Sequence, residues 1–137
     1  MGKNNGDKLK DKSIEISEIA QRIIDKINLI DELAGGLEDA GNQKAITLAA
    51  LKRRTSINTI KLRNGQYGTV TDPDTGEVFQ VDLKLPANLI PKVAEGESWK
   101  EQLEFTQAES HYKSKVVMME AARAQLNGYQ SIFKVLQ

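Results

Sequence analysis

Asp72-Pro73-Asp74-Thr75-Gly76-Glu77 places side-chain oxygens at alternate positions, the arrangement by which a calcium loop surrounds its ion. The twelfth residue counted from Asp72 is Leu83, where such a loop needs a bidentate glutamate. The segment therefore reads as a turn, built on the backbone habits of Asp, Pro and Gly. Lys52-Arg53-Arg54, with Lys61 and Arg63, is the most basic stretch of the folded part, and helical spacing brings Arg54 and Lys61 to one side, where they could contact phosphate. The same cations also suit the C-terminal half of a solvated helix, whose dipole favours positive charge. No aromatic residue is interleaved with them, so a stacking platform for single-stranded nucleic acid is missing.

Other reactive arrangements fail on geometry or inventory. His111 neighbours Glu109, Ser110 and Tyr112, but consecutive helical residues point in different directions and cannot form a triad. The chain has no cysteine and one histidine, which leaves out disulfides, thiolate chemistry and histidine-based metal clusters. Gly35-Gly36 and Gly41 are not followed by the lysine and hydroxyl of a nucleotide-binding loop, and no carboxylate pair stands out. A non-enzymatic protein with no cofactor is expected.

The elements that hold these residues follow from spacing. Residues 1–12 are polar and glycine-rich and read as a flexible tail, and residues 13–137 read as a single helical domain. Ile16, Ile19, Ile23, Ile27 and Ile30 recur in steps of three and four, marking an amphipathic helix that Ser13 can cap and Gly35-Gly36 should end. A second helix is expected from about Leu37 to Arg63, with Ala45, Leu48, Leu51, Thr55 and Leu62 on its stripe and Asn64-Gly65 at its end. Strand formers on both sides of the Asp72 turn predict a β-hairpin at about 67–83, with Phe79, Val81 and Leu83 as an apolar face that must lie on something. Leu85–Pro91 reads as a linker with a single turn, and a long helix should run from just after Gly96 to the end.

That last helix carries the strongest periodic signal: Phe105, Ala108, Tyr112, Val116, Met119, Ala122, Leu126, Tyr129, Phe133 and Leu136. The fold class is mainly α, a helical bundle or antiparallel coiled coil with one long C-terminal helix and an inserted β-hairpin. Two helices of about 33 and 40 Å cannot cover one of about 60 Å, so a homo-oligomer is expected, with Phe105, Tyr112, Met119, Leu126, Tyr129 and Phe133 at its interface. Tyr67 and Phe79 on the hairpin, beside a row of free backbone groups, are candidates for binding a partner protein.

Leu85-Pro86-Ala87-Asn88-Leu89-Ile90-Pro91-Lys92-Val93-Ala94-Glu95-Gly96, followed by a long helix ending Arg123-Ala124-Gln125-Leu126-Asn127-Gly128-Tyr129-Gln130-Ser131-Ile132, is similar to small uncharacterised proteins of temperate phages and prophages of Gram-positive bacteria. The likeness is loose over residues 37–136 and closer over the two quoted segments, and the hairpin at Tyr67–Leu83 departs from the family pattern. Genes of that family often lie near those for strand annealing, strand exchange and single-stranded-DNA binding. The resemblance implies an interaction protein in phage DNA recombination or replication. A counter-defence protein that inhibits a host immune factor, or sequesters its nucleotide signal, is the alternative.

Nineteen basic residues balance nineteen acidic ones, so net charge is zero and phage or host proteins are the expected partners, with weak nucleic-acid contact at most. No stretch is apolar enough to span a membrane and the N-terminus has no signal-peptide core, which predicts a cytoplasmic location in the bacterial host cell.

Overall fold

The computed structural model describes residues 15–65, 69–72, 74–80 and 85–137. The expected tail at 1–12 and the Ser13 cap lie outside them. The protein is mainly helical: α1 (Ile16–Arg63), β1 (Thr69–Thr71), β2 (Val78–Gln80), α2 (Ile90–Glu97) and α3 (Trp99–Leu136) follow one another along the chain. No described helix is long and apolar enough to cross a membrane.

The expected break at Gly35-Gly36 is absent, and α1 is one helix of 48 residues. Two interior glycines cost roughly 2 kcal/mol against alanine, a penalty that packing on either side can offset. Leu33 is buried with Met119 and Ala122, and Ala40 is buried one turn beyond the pair. Among the described residues only Gly65 and Gly76 have positive φ, so the pair at 35–36 stays in the helical region. Gly65, at φ 66°, does end α1, its N–H donating to the Leu62 carbonyl at 3.2 Å. Because α1 is longer than the 38-residue α3, the length mismatch that called for a homo-oligomer loses its premise.

A second difference lies at Pro91. Instead of extending a linker, it occupies the first turn of α2, where its missing N–H is no loss, and Gly96 sits inside that helix. The helix boundary falls at Ser98, before α3 begins at Trp99.

The chain forms two compact units, and both long helices contribute to each. One comprises Ser114–Gln137 with the described residues up to Leu37. Here Leu29, Ile30 and Leu33 of α1 pack on Met119 and Ala122 of α3. Lys26 donates to Gln125, and the Arg22 guanidinium stands 5.8 Å from the centre of the Tyr129 ring. These pairings run in opposite senses along the two helices, so the packing is antiparallel.

The other unit, Glu38–Lys113, holds the hairpin and α2. Its apolar cluster joins Leu62 of α1 to Ile90 and Ala94 of α2, with Leu85 and Val93 against it. Beside the cluster, Asn58 and Ser98 are fully buried. Asn58 Nδ2 donates to the Ala94 carbonyl at 3.3 Å and to Ser98 Oγ at 3.1 Å, and Ser98 Oγ donates to the Ala94 carbonyl at 2.8 Å. The buried face of α1 here includes Thr47 and Asn58, whereas Ala45 of the expected stripe is exposed. An apolar count misses that face because Thr47 returns its hydroxyl to its own helix and Asn58 is satisfied by α2.

Candidate functional site

Lys52, Arg53, Arg54, Lys61 and Arg63 are all exposed on α1. Arg53, Arg54 and Lys61 line a concavity of about 370 Å³ together with Ile57 and Glu101, while Lys52 borders a separate groove with Leu51, Pro91 and Glu95. Arg54 Nε pairs with Glu101 Oε1 at 3.1 Å. A carboxylate among the cations lowers the local potential that would draw a phosphate, so the patch is weaker than its composition implies.

The residues expected at an oligomer interface differ in how far their own chain covers them. Met119 is buried against Leu33, and Phe105, Tyr112, Leu126, Tyr129 and Phe133 are half-buried. Tyr112 receives the Lys44 ammonium 4.9 Å from its ring centre, and its ring edge lies 3.5 Å from where a Cβ on Gly41 would be. His111 is exposed, and Trp99 retains 38% exposure.

On the hairpin strands, Thr69, Thr71, Val78, Phe79 and Gln80 are all exposed. Its strands pair antiparallel in the register Thr69↔Gln80, Val70↔Phe79, Thr71↔Val78. The turn satisfies itself: Asp72 Oδ1 accepts the Asp74 N–H at 2.8 Å, the Asp72 carbonyl accepts the Gly76 N–H at 2.8 Å, and Thr75 Oγ1 accepts the Glu77 N–H at 3.2 Å. Gly76 supplies the left-handed residue the turn requires, at φ 75°. Tyr67, Val81 and Leu83 lie outside the described residues.

Phe79 was expected to sit on an apolar layer, but it is 51% exposed and Val78 on the opposite face is 62% exposed. The apolar face of α1 packs on α3 in one unit and on α2 in the other, and a three-residue strand adds too little surface to displace either packing. No protein-family model, curated protein or solved structure matches this chain.

One contributor escaped the sequence reading altogether. The Glu97 carboxyl, at the end of α2, lies beside the Thr71 backbone of β1, which favours its charged form. Its Oε1 is buried with no hydrogen-bond partner among the described residues. Burial pushes the Glu97 carboxyl above its usual range, and the Thr71 backbone offsets only part of that effect. Nothing in the sequence near Glu97 distinguishes it from the surrounding acidic residues, because its neighbour across space lies 26 positions earlier.

Proposed function

We propose that this chain is a non-enzymatic interaction protein that binds a protein partner through its β-hairpin, in the phage DNA recombination or replication setting that the resemblance implies. The observation that carries the reading is the exposure of Val78 and Phe79 on opposite faces of one strand. A strand uncovered on both faces and lying at a sheet edge is suited to adding to another protein's sheet. Zero net charge and a cation patch interrupted by Glu101 favour protein contact over coating of DNA.

The test is capture by tagged protein from cells carrying the replicating phage, comparing the natural chain with one in which Gln66 to Asp82 are replaced by a short Gly/Ser linker. Retention of a recombination or replication protein by the natural chain alone is the expected result. Equal capture by both chains would reject the hairpin as the binding element. Capture of a host immune factor would favour the counter-defence role.

A further inference from the structure

The two edges of the hairpin are not equivalent. In an antiparallel ladder, hydrogen-bonded pairs alternate with non-bonded pairs, whose backbone groups point outward. The Asp72 N–H donates to the Glu77 carbonyl at 2.7 Å, so these two form a bonded pair just beyond the strands. Alternation along the register then makes Val70 and Phe79 the next bonded pair, leaving Thr69 and Thr71 to face out from β1 and Val78 and Gln80 to face out from β2. The outward Thr71 backbone lies beside the Glu97 carboxyl, whose charge it favours. Among the described residues, no backbone hydrogen bond beyond the ladder reaches Val78 or Gln80, and both residues are exposed. Glu97 of α2 thus stands beside the β1 edge, whereas the β2 edge at Val78 and Gln80 is uncovered among the described residues.

Charge narrows what fits there. Residues 66–83 contain Asp72, Asp74, Glu77 and Asp82 and no lysine or arginine. Strands pair about 4.8 Å apart, inside the screening length of about 8 Å at physiological salt, so the charges on an added strand are felt. A second copy would bring the same four carboxylates and meet repulsion.

We propose that the β2 edge receives an extended, lysine- or arginine-bearing segment of a protein partner by strand addition, an inference that rests on the hairpin being the partner-binding element. Val78 and Gln80 supply the backbone hydrogen bonds, the side chains of Val78 and Phe79 contact the segment on opposite faces, and the carboxylates select its charge.

Backbone amide shifts of the full-length, ¹⁵N-labelled protein are to be followed during titration with three capped peptides: Lys-Thr-Val-Thr-Val-Lys, its counterpart with glutamate at both ends, and the basic peptide with alternate amides N-methylated. The basic peptide is expected to shift the Val78 and Gln80 amides saturably, the acidic one about tenfold more weakly, and the methylated one not at all. Shifts centred on Thr69 and Thr71, equal response to the acidic peptide, or no response at millimolar peptide would overturn the proposal. Concentration-dependent shifts at Val78 and Gln80 without peptide would overturn it in favour of a second copy.

Val78→Pro removes an outward N–H while leaving the ladder pairs in place, and it should abolish the response. Should that variant disturb the hairpin, the methylated peptide tests the same contact on the unaltered chain. In the capture experiment, binding lost with the Gly/Ser linker but kept by Val78→Pro rejects the edge and spares the hairpin reading. Binding kept by both rejects the two together.

Discussion

Asn58 Nδ2 donates to Ser98 Oγ across 3.1 Å, and both side chains are fully buried. The pair joins the last turns of α1, which ends at Arg63, to the residue that separates α2 from α3, so the hydrogen bond ties the end of one helix to the junction of the other two. Thr55 Oγ1 extends the network by donating to Ser98 Oγ at 3.2 Å. Asn58→Ala should destabilise the protein by about 1–3 kcal/mol, the range for removing one partner from a buried polar network. Asn58→Asp should cost more, because a carboxylate facing the Ala94 carbonyl at neutral pH sets acceptor against acceptor. Urea unfolding followed by circular dichroism checks both values and their order.

Met119 is 3% exposed and touches Leu33 and Ala122 of its own chain. Met119→Ala should cost about 2–5 kcal/mol through lost contact and a residual cavity, and Met119→Leu less than about 1.5 kcal/mol. Since the partners are intrachain, the loss should not depend on protein concentration, as melting over a hundredfold dilution range would report.

The glycines separate by conformation. A Cβ on Gly35 would meet nothing within 4 Å, and the residue is interior to α1, so Gly35→Ala should stabilise by about 0.5–1 kcal/mol. Gly76 also has open space, but at φ 75° an added Cβ is strained, and Gly76→Ala should destabilise the hairpin by about 1 kcal/mol. Opposite signs at two uncrowded glycines would be read from thermal midpoints for Gly35 and from hairpin amide exchange for Gly76.

Glu97 makes stability depend on pH in a direction opposite to that of a salt-bridged carboxylate. Unfolded, it ionises near its ordinary value of 4.5, and in the fold its pKa is raised by burial. Between those two values the folded state binds the extra proton. The contribution is therefore full below 4.5 and is lost as pH rises through the folded value. Subtracting the urea midpoints of Glu97→Gln from those of the natural chain, across mildly acidic pH, should give a difference that falls with rising pH. A flat difference would mean the carboxyl titrates alike in both states.

The helical class, the long C-terminal helix and its inward stripe are legible in the residues alone, because the steps of three and four through Phe105, Ala108, Tyr112, Val116, Met119, Ala122 and Leu126 put them on one side of a helix. So are the turn at Asp72–Gly76 and the end of α1 at Gly65, where φ must be positive and few residues comply. Tertiary structure decided what local spacing cannot weigh. Whether Gly35-Gly36 breaks a helix is a contest of roughly 2 kcal/mol against packing by Leu33 and Ala40, whose strength depends on a distant segment. Thr47 and Asn58 are polar by type but buried by virtue of their hydrogen bonds, so an apolar stripe passes them over. Arg54 reads as a free cation until Glu101 stands beside it, and Glu97 reads as one acidic residue among many until the Thr71 backbone lies against it. Each of these outcomes turns on a contact between residues far apart in the chain, and such contacts exist only once the elements have packed.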